Sequence, residues 1–207
     1  MPHTTFALVG NAVPSPDDPN HSGAIDGCDE VWRFNNAPGF AGGKQGTRTS
    51  LLWLVNSGGS MRERLEMADF PYHPVMRATR HLAFPVHPSM LRRYHPEPNE
   101  EEREGGDRND WTGPAIERFG ELGWAITVLP ATHYIEACEA LKLNEDERRV
   151  RFPSTGFLAA HWLLSTNPDA HVRTFGFTWQ GWSSHSWTAE RDWFERQHQA
   201  GRVEITL

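Results

Sequence analysis

The apolar run Phe6-Ala7-Leu8-Val9 stops abruptly at Gly10-Asn11. A short, uninterrupted apolar stretch of this kind reads as a buried strand. A strand that breaks at Gly-Asn delivers backbone amides and one short polar side chain to its carboxyl end, where α/β proteins bind ligands. Asparagine both donates and accepts, so Asn11 and the later Asn35 are suited to phosphate and ribose oxygens without bringing a charge. Taken alone, Gly10-Asn11 reads better as a turn. What lifts it above that is an ordered pattern behind it: Ile25-Asp26, Asp29, Val31, Arg33 to Pro38, and Gly46-Thr47-Arg48-Thr49, with a distant echo at Pro153-Ser154-Thr155-Gly156.

The rest of the chain alternates. Strands are expected at 5–9, 30–34, 51–55, 81–86, 125–129, 171–175 and 203–205, with Pro85 placing the fourth at an edge or at its own end. Helices are expected at 61–67 after Gly58-Gly59, at 115–122, after an N-cap at Thr132, after Gly156, and at 188–199 with Gly201 as the stop. This alternation predicts an α/β fold with a mostly parallel sheet covered on both faces. At 207 residues the chain is expected to form one domain. Between Pro88 and Gly113 the pattern lapses into Pro96, Pro98, the acidic run Glu100 to Glu102 and Gly105-Gly106, so residues 96–112 are expected to be a mobile, solvated loop rather than a site.

Composition removes several function classes. No run approaches the roughly 18 apolar residues of a membrane span, and Met1-Pro2-His3-Thr4-Thr5 lacks the shape of a signal peptide. A net charge of −7 argues against a nucleic-acid backbone as the main partner. The two cysteines, Cys28 and Cys138, have no metal-type spacing. Nine tryptophans suit sugar rings, but packing in the core is the more economical account of most of them.

The ordered pattern resembles the sialyltransferase-like glycosyltransferases. Their large sialyl motif is matched by Val9-Gly10-Asn11, Ile25-Asp26, Asp29 to Pro38, Gly46 to Thr49 and Asn56-Ser57. Their small motif is matched by Pro153 to Gly156, closing at Phe175-Gly176-Phe177, and their final His-x4-Glu motif by His185 and Glu190. The resemblance implies a Rossmann-like three-layer α/β/α sandwich (a GT-A-like variant). It implies an inverting, metal-independent transfer of an acidic sugar, such as sialic acid, Kdo or a relative, from a CMP-activated donor. The acceptor would be a hydroxyl of a glycan or small molecule. No cofactor beyond the donor and no metal ligands are implied. Animal members carry a membrane anchor and a disulfide between the two main motifs; here Phe6 stands at the first cysteine position, which points to a reducing, cytoplasmic and bacterial setting.

Through that resemblance Gly10, Asn11, Asn35, Ser154, Thr155 and Gly156 are expected to hold the donor. Ser154-Thr155-Gly156 precedes an apolar helix, whose free amides favour an anion, and Ser-Thr as an N-cap is compatible with that use. His185 is expected to be the base, since a neutral imidazole can take the proton of an attacking hydroxyl. Glu190, near a helix start, is expected to position the loop carrying His185 or to complete the donor site. Asn56 and Ser57 are expected to support the site.

The chain departs from the family in places. The interval Thr178 to Ser184 contains no second histidine, so leaving-group stabilisation falls to Ser183, Trp182 or the two asparagines, and Ala12 stands where the family has serine. Two other readings stay open: a nucleotide-binding accessory or sensor protein of the same fold that has lost transfer, and a metal hydrolase using His161, His171, His185 and His198, whose spacing fits no tight ligand pattern.

Overall fold

The computed structural model describes residues 3–206. Seven strands, β1 (Thr5–Val9), β2 (Glu30–Phe34), β3 (Leu51–Trp53), β4 (His81–Phe84), β5 (Ala125–Val128), β6 (His171–Phe175) and β7 (Val203–Thr206), form one sheet in the order β5-β4-β3-β2-β1-β6-β7. Every pairing is parallel. The connecting helices are α1 (Ser22–Asp26), α2 (Gly58–Glu66), α3 (Pro74–Arg77), α4 (Pro88–Tyr94), α5 (Glu100–Glu104), α6 (Thr112–Glu121), α7 (Ala131–Ala140), α8 (Thr155–Thr166) and α9 (Trp187–Gln199).

Side chains of successive strand residues point to opposite faces, so a strand buried on both sides must be apolar throughout. In β1, Phe6 and Leu8 join the cluster under α7, α8 and α9, while Ala7 and Val9 join Ile25, Val31 and Phe175 on the other face. In β3 and β4, Trp53 and Ala83 take the first face, and Leu52, Leu82 and Phe84 pack under α2, α3 and α6. The result is the three-layer, Rossmann-like sandwich expected. The edge strands are wetter: β5 alternates exposed and half-buried residues, and β7 is half-buried beyond Val203.

The strand order reverses beside β1. The chain steps outward from β1 through β5, then returns to add β6 and β7 on β1's other side. Loops leaving β1 and β6 therefore diverge and open a crevice at their carboxyl ends, where open α/β sheets bind ligands.

Several boundaries differ from the sequence reading, each for a local reason. Pro88 opens α4 at its first turn, His87 accepts from the Ser89 amide, and Met90, Leu91 and Tyr94 bury its inner face. The acidic run becomes α5 because Asn99 and Glu102 form a reciprocal capping box. α7 starts at Ala131 with Pro130 as its cap, so Thr132 lies inside the helix. Pro85 follows β4, whose neighbours β3 and β5 make it an interior strand. Glycines 58 and 59 belong to α2 itself.

Candidate functional site

At the carboxyl end of β1, Gly10 donates its amide to the Phe175 carbonyl at 2.7 Å, and Ala12 donates to Gly176 at 3.3 Å. The two loops approach so closely that a β-carbon on Gly10 would stand 2.4 Å from the Gly176 oxygen. Glycine is required there by contact. The crevice these loops enclose has a volume of about 280 Å³, and its walls include Gly10, Asn11, Asn35, Thr155, Gly156 and Thr178. Asn11 is exposed at its mouth. Asn35 holds a left-handed backbone (φ 53°), and its Oδ1 accepts from the Val55 amide at 3.0 Å.

Much of the long first motif turns inward. Asp26 accepts from the Thr47 and Arg48 amides, and burial works against the bonds that hold its carboxyl below the usual range. Arg48 in turn donates to the carbonyls of Asp26, Cys28 and Asp29. Arg33, fully buried, donates to the carbonyls of Gln45 and Arg48. These residues tie the loop before β3 to β2, and they present no group to the crevice.

Ser154 caps α8: its Oγ accepts from the Phe157 amide at 3.1 Å and donates to Glu190 Oε2 at 2.6 Å. Its amide donates to Glu190 Oε1 at 2.8 Å. The hydroxyl is thus committed on both sides and Ser154 is buried, so it shapes the turn; Ser154, Thr155, Gly156 and Glu190 all line the crevice. Glu190, on the first turn of α9, grips Ser154 rather than the loop carrying His185. Burial pushes its carboxyl up to about 7, against the two Ser154 hydrogen bonds that favour the ionised form.

His185 sits where this crevice meets a second, larger cleft of about 840 Å³. Asn35, Thr155 and His185 line both. The His185 Nδ1 lies 2.8 Å from the Phe152 carbonyl. A carbonyl only accepts, so Nδ1 carries the hydrogen and, in the neutral ring, Nε2 is left as the acceptor. Burial holds the imidazole below its ordinary value, partly offset by that Phe152 bond. The neutral form therefore prevails at pH 7.

The larger cleft was not legible in the motifs. One wall comes from residues 95–99 and 107–109, the segment expected to take no part in a site. His95 ends α4 with its ring 4.5 Å from Phe152, its Nε2 buried without a partner; burial, reinforced by His185, pushes it down to about 4. No spacing in the sequence linked His95 to His185. Ser57 faces this cleft, whereas Asn56 is buried, bonding the Val86 carbonyl and Thr112 Oγ1 at 2.7 Å each. Ser183 lines neither cleft; its carbonyl takes a hydrogen bond from Arg151. The histidines of the metal reading lie apart. His161 packs on His133, His171 is exposed and His198 bonds the Val203 carbonyl. Among the described residues no three His, Cys, Asp or Glu side chains gather as a metal site would need. Both cysteines are free and buried. No described helix is long and apolar enough to cross a membrane.

No protein-family model matches the sequence, and no curated protein does. Solved structures do match in shape. A mammalian sialyltransferase in complex with Gal-beta-1-3GalNAc-ortho-nitrophenol superposes with a TM-score of 0.56 at 15% identity, covering 99% of this chain and 69% of that one. The sialyltransferase CstII from Campylobacter jejuni, in complex with the substrate analogue CMP-3FNeuAc, gives 0.51 at 10% identity, covering 97% and 79%. The chain is thus similar to sialyltransferases in fold, over nearly its whole length.

Proposed function

We propose that this protein is an inverting glycosyltransferase that moves an acidic sugar from a CMP-activated donor to a hydroxyl acceptor, without a metal ion. The observation that carries the reading is the placement of a neutral, Nδ1-protonated His185 at the junction of two clefts. The smaller, glycine-walled crevice at the strand reversal takes the nucleotide and the acidic sugar. The free amides at the start of α8 favour the sugar's carboxylate. The larger cleft takes the acceptor.

In the reaction, the acceptor oxygen attacks the anomeric carbon and its proton passes to His185 Nε2. The bond from that carbon to the phosphate oxygen breaks, CMP leaves with the electron pair, and the configuration inverts. Asn11 and Asn35 hold phosphate or ribose oxygens of the donor. Glu190 and Ser154 fix the turn that presents Thr155 and Gly156. The reading agrees with sialyltransferase neighbours in fold, one of them bound to a CMP-sugar analogue.

The test is thermal unfolding with CMP, UMP, AMP and GMP, followed by incubation with CMP-activated acidic sugars and hydroxyl acceptors. A ligand at about 100 times its Kd stabilises by roughly 2.7 kcal/mol. Selective stabilisation by CMP, with CMP released on transfer, is the expected outcome. Indifference to all four nucleotides would sink the proposal, and CMP binding without transfer would mark a nucleotide-binding relative that has lost activity.

A further inference from the structure

The tryptophans range from buried to exposed, with Trp162, Trp179 and Trp187 half-buried. Trp32, Trp53, Trp111, Trp124 and Trp193 are buried, and among the described residues Trp182 is the one exposed tryptophan, at 54%. One face of its ring lies parallel to Phe152, with centroids 5.5 Å apart and planes 7° apart. Phe152 and His185 thus pack against part of the ring, and the remainder, exposed, lines the larger cleft.

The ring is held in register with the base. The Trp182 carbonyl accepts from the His185 amide at 3.1 Å and from Trp187 Nε1 at 3.1 Å. The two rings meet edge to face with centroids 5.1 Å apart, and the Phe152 amide donates to the Ser184 carbonyl at 2.9 Å. What sets this ring apart from other exposed side chains is that it lines a cleft, where an aromatic surface can be covered by a ligand. The same cleft is lined by short hydrogen-bonding groups, Ser57, Asn99 and Asn109, by the carboxylates Glu97, Glu102 and Asp107, and by Arg108. An exposed aromatic ring in a cleft that also carries donors and acceptors matches a pyranose, whose C–H face is apolar and whose hydroxyls radiate in its plane. Three carboxylates, Glu97, Glu102 and Asp107, outnumber the one guanidinium, Arg108, so the lining disfavours an anionic ligand while its carboxylates can accept from hydroxyls.

We infer that Trp182 is the stacking platform for a neutral pyranose at the acceptor end of the reaction. This rests on the transferase reading and assigns Trp182 to the acceptor, where the sequence placed it among groups stabilising the leaving nucleotide. A nucleobase is the rival occupant. It fits less well, because Trp182 lines only the larger cleft, while the glycine-walled crevice lies on the far side of His185.

The experiment compares the wild type with Trp182→Ala and Trp182→Phe, each first checked for an unchanged unfolding midpoint. Saturation-transfer NMR with neutral methyl pyranosides (gluco, galacto and manno), with and without CMP, reads the sugar; calorimetry reads CMP. For at least one pyranoside, Trp182→Ala is expected to lose tenfold or more in affinity and Trp182→Phe to keep part of it. CMP affinity should stay within twofold in all three, and a uronate counterpart should bind more weakly. The proposal is overturned if no neutral pyranoside binds the wild type, if Trp182→Ala binds it unchanged, or if that variant loses CMP instead, which would make the ring a base platform. Pyranoside binding that depends on Trp182 in a protein indifferent to CMP would leave the platform standing and overturn the transferase reading alone. Should Trp182→Ala unfold, Trp182→Phe carries the comparison, with unchanged sugar affinity overturning the proposal.

Discussion

The two clefts that meet at His185 are built on opposite plans. The smaller one is shaped by a close backbone approach: Gly10 and Gly176 pass within contact distance, Phe34, Phe177, Trp179 and Trp187 add aromatic walls, and the Ser154 and Glu190 side chains in its lining are spent on each other. The larger one takes much of its wall from a surface segment, with an exposed ring, the carboxylates Glu97, Glu102 and Asp107, and the asparagines Asn99 and Asn109. A backbone-built site tolerates little change in shape, whereas a side-chain-built site can be altered by substitution without moving the sheet. The contrast teaches that the first cleft suits an invariant ligand and the second a variable one.

The largest way to break this comparison is at the junction. His185→Ala is expected to lower kcat by about 10²–10⁴ while CMP affinity stays within twofold; lost nucleotide binding or lost folding would make His185 structural. Its depressed titration places the acid limb of kcat/KM in the wild type below 6.5, the ordinary histidine value. A limb above that point would contradict the buried, neutral imidazole.

Next comes rigidity. Gly10→Ala drives a β-carbon into the Gly176 carbonyl, and is expected to cost about 3 kcal/mol in denaturant unfolding, as overpacking does. A smaller but similar test lies at Glu190. Glu190→Ala leaves the buried Ser154 amide unpaired and should cost about 2 kcal/mol, whereas Glu190→Gln keeps an acceptor for that amide and should cost less.

The sign of the pH effect at Glu190 follows from its titration. Its folded value, about 7, stands above the ordinary 4.5, so the native state holds the proton more tightly than the unfolded chain does. The resulting stability is fully present below 4.5 and is lost as pH rises through 7. Glu190→Gln should flatten that part of the stability profile; an unchanged slope would remove the assignment.

The smallest effects separate the clefts. Asn35→Ala puts a non-glycine residue without a carbonyl side chain at φ 53° and removes the partner of the Val55 amide; CMP affinity should fall by about tenfold, roughly 1.4 kcal/mol. Glu97→Gln should leave CMP affinity unchanged and alter acceptor KM only a few-fold. Equal effects of both changes on CMP would erase the division of labour between the two clefts.

What the sequence revealed and what it hid divide along similar lines. The sheet was legible because two-sided burial forces apolar runs such as Phe6 to Val9, and the α8 cap was legible because Ser154 must satisfy a helix start. The match of the first motif was legible too, but Asp26, Arg33 and Arg48 show that several of its residues hold a loop rather than a ligand. The larger cleft was hidden for a physical reason. Its wall is formed by a charged, proline-flanked segment whose only local order is a capping box, and composition of that kind signals solvent. His95 and Trp182 reach it through tertiary packing on Phe152, which no periodicity encodes.

The Phe152 carbonyl that fixes the His185 tautomer belongs to the main chain. Every amino acid placed at position 152 would bring the same oxygen, so no single substitution can delete the group that orients the base. A carboxylate in that role would be one codon change from loss. The base is therefore mutationally insulated at its anchor while the surfaces around it, Trp182 and the acidic rim, stay free to vary. Under the proposed transferase reading, the surfaces beside His185 can change while the carbonyl that orients its ring stays in place.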